Sequence, residues 1–186
     1  TTVRAAAYAD DGSVLGAPRS RLIDRAALLT RGTTALTNCP GSPFRLRVQP
    51  LPDATSLSPV YELALLNARQ QWADAPLDGI HGLHVALQRL PNNYALAHEA
   101  KLVVRRPHTT PFGELVVHLD RCDGAVLTQW NLPDPARASR ALAFDAAITP
   151  PPGRHTLCFA LTAPTDGPLY AFDRVQLRDA APSPWA

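Results

Sequence analysis

The chain has 186 residues, 46% of them hydrophobic, with 18 basic against 16 acidic side chains and a net charge of +2. That is enough apolar material for one large all-β domain, or for a domain with a short flanking piece. The balance of charge excludes a dedicated nucleic-acid binder or a surface for anionic membranes. Lys101 is the only lysine, and the arginines are spread along the whole length. That pattern reads as the codon bias of a GC-rich bacterial genome, because a basic patch would cluster. No apolar run approaches the ~20 residues of a membrane span. The chain contains no Met and opens Thr1-Thr2-Val3-Arg4, which predicts a processed precursor or a segment of a longer polypeptide.

In chain order, residues 3–8 and Val14-Leu15 flank an Asp11-Gly12 turn and predict a small hairpin. Residues 21–30 (RLIDRAALLT) are the one helical candidate, one or two turns long, with Asp24 placed to cap the turn from Ala26 to Leu29. A boundary falls between residues 30 and 40. It divides the chain into a hairpin arm (1–35), a β-sandwich (36–178) and an Ala/Pro-rich tail (179–186). Residues 61–72 (YELALLNARQQW) have a helical composition, yet Tyr61, Leu63 and Leu65 alternate. They predict a strand followed by a loop. Beyond them, Val116-Val117-His118-Leu119, Leu142-Ala143-Phe144-Asp145 and residues 156–161 are short runs of period two. Turn pairs separate the runs: Asp78-Gly79, Asp123-Gly124, Pro152-Gly153 and Asp166-Gly167. The 19 prolines fall between runs rather than inside them. Strands and turns recurring at roughly 8–12 residues predict an all-β, jelly-roll-like antiparallel β-sandwich with a short N-terminal hairpin arm.

Cys39, Cys122 and Cys158 are the only cysteines. None is paired at the close spacing of a zinc site. They predict one disulfide and an odd thiol, with all three pairings open, or three buried thiols.

The second half carries a pattern that resembles the closing strands of family 6-type carbohydrate-binding modules. It consists of residues 113–133 (GELVVHLDRCDGAVLTQWNLP), 144–148 (FDAAI), 151–164 (PPGRHTLCFALTAP) and 169–177 (LYAFDRVQL). A broader resemblance runs through residues 3–14 (VRAAAYADDGSV), 36–48 (LTNCPGSPFRLRV), 89–96 (RLPNNYAL), 113–124 and 153–164. It is to the C-terminal region of bacterial family 20 β-N-acetylhexosaminidases. These resemblances imply a jelly roll attached to a secreted or periplasmic glycosidase, with the catalytic barrel elsewhere in the polypeptide. The implied partners are that catalytic domain and a glycan of N-acetylglucosamine or chitin type. No catalytic residue carries over, because the chain has neither eight β/α repeats nor room for them. A purely structural module and a free-standing lectin are the alternatives.

Glu62, Glu99 and Glu114 are the only glutamates, and Glu114, at a strand start, is expected to face solvent. No facing acid pair of the kind glycoside hydrolysis needs can be assembled from them, and there is no G-x-S-x-G elbow. The chain is therefore expected to be non-catalytic. His81 and His84 fall on opposite faces of a strand, and His155 reads as a partly buried structural residue. Sugar binding needs an aromatic face beside amides and carboxylates. Asn92, Asn93 and Tyr94, followed by His98 and Glu99, supply that set on a predicted loop, and Trp72 ends a polar run that could present it as a platform. Trp130, Tyr170 and Phe172 are assigned to the core. The loop of residues 133–141 lacks the tryptophan that the binding modules commonly place there. Asp173 matches their last-strand aspartate, which implies a structural Ca2+; otherwise no cofactor is expected.

Overall fold

The computed structural model describes residues 2–16, 19–22, 24–39, 46–48, 61–63, 69–92, 101 and 103–180. The N-terminal strands β1 (Thr2–Ala5) and β2 (Arg19–Leu22) form an antiparallel hairpin of their own. Within it, Tyr8 and Val14 form a bridge across the Asp11-Gly12 turn. Gly12 adopts a φ of 81°, and the Asp11 carboxylate accepts the Ser13 amide at 2.9 Å. The single helical turn α1 (Arg25–Leu28) begins at Asp24, whose Oδ1 accepts from the Ala26 amide, as the sequence predicts.

The strands that follow are β3 (Thr30–Gly32), β4 (Thr37–Asn38), β5 (Leu46–Val48), β6 (Tyr61–Leu63), β7 (Gln70–Pro76), β8 (Gly82–Leu90) and β9 (Glu114–Leu119). The last four are β10 (Val126–Asn131), β11 (Ala141–Ala147), β12 (Arg154–Leu161) and β13 (Leu169–Arg178). Two antiparallel sheets result, in the orders β10-β9-β12-β7-β4 and β11-β8-β13-β3, with β5 and β6 paired separately. Strands distant in sequence thus lie side by side, as in a jelly roll. The fold is the all-β sandwich expected from the turn spacing. No helix among the described residues is long and apolar enough to cross a membrane.

Inward side chains of both sheets make one core: Leu83, Val85 and Leu87 from β8, Leu115 and Val117 from β9, and Leu157 and Phe159 from β12, with Phe172 from β13. Each such side chain contributes roughly 1.5–3 kcal/mol of burial. Phe159 and Phe172 meet edge to face at 5.5 Å between the two sheets.

Two β-bulges set which residues face that core. On β13 the pairing skips from Phe172 opposite Leu87 to Arg174 opposite Ala86. Asp173 is the extra residue, so Tyr170 and Phe172 point inward before it, and Val175 and Leu177 after it. On β7 the register shifts between Trp72, opposite Leu157, and Ala75, opposite His155. Asp74 takes a φ of 59° there, and Arg154 holds its carboxylate at 2.6 and 2.7 Å. The stretch expected as a loop after residue 63 is therefore a strand from Gln70 onward. Gln70 is itself buried in the interior, and a glutamine on the inward face hides the alternation.

Candidate functional site

The described aromatic residues are mostly consumed by the core. Trp72 is 2% exposed and lies inside the sandwich under the Arg31 guanidinium, 4.6 Å from the ring centroid. This corrects the platform reading: residue 72 is an inward position of β7, not a loop tip. Tyr170 and Phe172 are buried, as expected. Tyr8, in the N-terminal hairpin, has most of its surface in solvent.

Trp130 takes the core-packing role expected of it, but at the rim. It packs against the core but is only partly buried, on the edge strand β10. Its ring lies 5.7 Å from Phe144 on β11, the edge strand of the other sheet, at a tilt of 40°. The indole N–H donates to the Asp145 carbonyl at 3.1 Å. An aromatic pair thus closes one side of the sandwich with part of its surface in solvent.

On the outward face of β11, across the strand from Phe144, runs a polar row. Asp145 stands opposite His84 on β8, which stands opposite Gln176 on β13. His84 Nδ1 donates to Asp145 Oδ1 at 3.0 Å, and Arg178 Nη1 donates to the same oxygen at 2.7 Å. Gly82, Ala86, Ala143 and Ala147 are the neighbours of these residues on their strands. Small side chains beside a carboxylate, an imidazole and a guanidinium leave room for a ligand with several hydroxyls. Alternation alone could not reveal this set, because it requires knowing that β11, β8 and β13 are adjacent.

At the end of β8, Asn92 is exposed, and its Nδ2 donates to the Thr165 and Gly167 carbonyls at 3.3 and 3.0 Å. The amide ties this loop to the β12–β13 connection. Asn93, Tyr94, His98 and Glu99 lie outside the described residues.

Glu114 corrects the expectation of a solvent-facing side chain, since it is 3% exposed. Its Oε1 accepts from the Thr109 amide and hydroxyl and the Thr110 amide at 2.8–2.9 Å, and Oε2 accepts from the Thr162 hydroxyl at 2.6 Å. Burial alone would raise its pKa. The hydrogen bonds from Thr162, Thr109 and Thr110 outweigh burial and lower it to about 2. The carboxylate is a clasp that joins the segment before β9 to the end of β12. Next to it, Gly113 has a φ of 80°, and a Cβ there would meet the Ala163 and Thr162 backbone at 2.7 Å.

Asp173 is buried at the β13 bulge. No group of three His, Cys, Asp or Glu side chains among the described residues gathers around it. His155 takes the structural role expected of it. Nδ1 faces Asp120 Oδ1 at 2.9 Å and Nε2 faces the Pro152 carbonyl at 3.1 Å. Two acceptors suit the imidazolium, and the Asp120 bond followed by the Pro152 bond raises the pKa above 6.5. A raised pKa stabilises the fold fully below 6.5, and that contribution is lost as the pH climbs through the folded value. His155→Asn is therefore expected to lower the melting temperature below pH 6.5 and to match the parent well above it. Melting curves across that range check this, and a difference that does not vary with pH would refute it.

No family model matches the chain, and no curated protein matches its sequence. Solved structures match its fold. A family 6 carbohydrate-binding module from Clostridium cellulolyticum, solved with xylose, superposes with a TM-score of 0.52 at 9% identity, covering 80% of this chain and 95% of the module. A structure from Clostridium stercorarium solved with cellobiose gives 0.51 at 8% identity, covering 81% and 93%. A glycoside hydrolase family 43 arabinoxylan arabinofuranohydrolase from Bacillus subtilis, solved with cellotetraose, gives 0.55 at 15% identity. That match covers 92% of this chain, which spans 32% of the enzyme. The chain thus has the β-sandwich fold of family 6 carbohydrate-binding modules.

Proposed function

We propose that this chain is a non-catalytic, glycan-binding β-sandwich of a secreted or periplasmic carbohydrate-active enzyme. The observation that carries this reading is the partly exposed Trp130, bonded to the Asp145 carbonyl at the edge of β11, with the Asp145–His84–Arg178 row on the outward face of that strand, on a fold shared with carbohydrate-binding modules. A pyranose at the edge of β11 would lay its apolar face on Trp130 and direct its hydroxyls to Asp145 and Arg178 on the outward face. The loop of Asn92, Asn93, Tyr94, His98 and Glu99 is the second surface proposed for the same ligand. The parent enzyme, on the sequence resemblance, is a family 20 β-N-acetylhexosaminidase, and the glycan contains N-acetylglucosamine. A structural Ca2+ at Asp173 would draw its remaining ligands from backbone or amide carbonyls, or from side chains outside the described residues.

Calorimetric titration with xylose, cellulose and N-acetylglucosamine oligomers tests the reading. Trp130→Ala is expected to weaken binding at least ~10-fold, about 1.4 kcal/mol, with the melting temperature measured in parallel to confirm a folded protein. Loss of binding on Tyr94→Ala but not on Trp130→Ala would move the site to the loop. Absence of binding to every oligomer would leave a purely structural module. A reading frame that encodes no family 20 barrel beside this chain would defeat the hexosaminidase parentage.

A further inference from the structure

The three cysteines come from distant parts of the chain and meet at one point. Cys39 follows the edge strand β4, and its amide donates to the Arg69 carbonyl at 2.9 Å. Cys122 sits in the turn between β9 and β10, and Cys158 lies within β12. The three sulfurs lie within 4.8 Å of one another. Cys122 Sγ lies against both Cys39 and Cys158, whose own sulfurs are 3.0 Å apart. Each sulfur can close one disulfide at a time. Whichever pair is joined, the third thiol therefore rests against the bond.

The surroundings favour reaction among these sulfurs rather than with solvent. Cys39 and Cys158 are buried, and Cys122 is half-buried. The Arg69 guanidinium donates to the Cys122 carbonyl, and Arg106 is close enough for the two like charges to act on each other. The attacking species in disulfide exchange is the thiolate. The Cα separation is 5.2 Å for Cys122–Cys158 and 6.9 Å for Cys39–Cys122. The first is a common disulfide span, and the second lies at the long edge of the usual range.

We propose that Cys39, Cys122 and Cys158 form a shared-disulfide centre in which Cys122 is the hub and the bond migrates between its two neighbours. In the forward step the Cys158 thiolate attacks Cys122 Sγ of the Cys39–Cys122 disulfide. The Cys122–Cys158 bond forms, the Cys39–Cys122 bond breaks, and Cys39 leaves with the electron pair and takes up the proton that Cys158 gave up. The centre holds one disulfide and one thiol throughout, so no external oxidant or reductant enters. Exchange moves the cross-link of the β9–β10 turn between the edge strand β4 and the interior strand β12. The odd thiol stays buried in both forms, where it cannot couple to a second molecule.

Peptide mapping of the oxidised protein tests this. The native protein is unfolded in acid to stop exchange, its free thiol is alkylated with N-ethylmaleimide, and it is then cut with trypsin. Cleavage after Arg31, Arg45, Arg121, Arg137, Arg154 and Arg174 puts each cysteine on its own peptide. The expected result is both Cys39–Cys122 and Cys122–Cys158 linked peptides, with the label divided between Cys39 and Cys158 and absent from Cys122. Cys39→Ser and Cys158→Ser should each retain a full disulfide to Cys122 with no titratable thiol. A single pairing with one cysteine always labelled, a dominant Cys39–Cys158 link, or three free thiols would each overturn the proposal.

Discussion

Replacing Glu114 by alanine is expected to destabilise the protein by roughly 3 kcal/mol at neutral pH, with the loss shrinking as the pH falls. The fold lowers this carboxyl from 4.5 to about 2. A shift of that size corresponds to on the order of 3 kcal/mol of preference for the ionised form. The sign follows from the direction of the shift. A depressed pKa contributes fully above 4.5, and its contribution disappears as the pH drops through about 2. The parent should therefore lose stability in that window while the variant lacks this part of the loss, and their unfolding free energies should converge. Alanine also strands the Thr109 and Thr110 amides and the Thr162 hydroxyl, which now bond the carboxylate. Glu114→Gln keeps the volume and one acceptor oxygen, so about half the loss is expected, without the acid-range titration. Urea denaturation of the three proteins from neutral pH to about 2 measures this. A gap between parent and alanine variant that stays constant over the window would show that the ionised clasp is not the source.

Much of the fold was legible because its signals are local. Period-two runs at residues 116–119, 142–145 and 156–161 all fall within strands, and Asp24 caps the one helical turn. What the sequence hid were features that depend on inserted residues or on partners far along the chain. Asp173 and the Asp74 bulge each change the inward parity in mid-strand, so a fixed alternation fails there. Glu114 looked like a surface acid because its neighbours Gly113 and Leu115 say nothing about Thr162, 48 residues away. Trp130 reads as a core residue because it is the apolar position between Gln129 and Asn131 at the end of a strand, and it does pack against the core. Its partial exposure follows from β10 being an edge strand, a property of sheet order that no local window contains. The Asp145–His84–Arg178 row has the same origin, three strands brought together from separate parts of the chain.

Trp72→Ala is expected to produce the largest loss of stability, about 3–5 kcal/mol, as for other large-to-small changes of buried aromatic residues. The cavity would open inside the sandwich, where Trp72 and its strand partner Leu157 both face the core. The change would also remove the ring beneath Arg31, a cation–π contact of about 0.5–2 kcal/mol. Trp72→Phe should cost much less. It keeps a ring in the core, and the indole N–H that it deletes has no hydrogen-bond partner among the described residues, so no bond to them is broken. A double-mutant cycle with Arg31→Ala separates the two contributions: the coupling should persist in Trp72→Phe and vanish in Trp72→Ala. The same pair of variants decides whether this tryptophan has any role in recognition. A buried core residue predicts that Trp72→Phe, folded and slightly less stable, binds glycan oligomers as the parent does. Binding lost in Trp72→Phe at near-parental stability would mean that the indole reaches ligand, and β7 would then have to open in solution to present it.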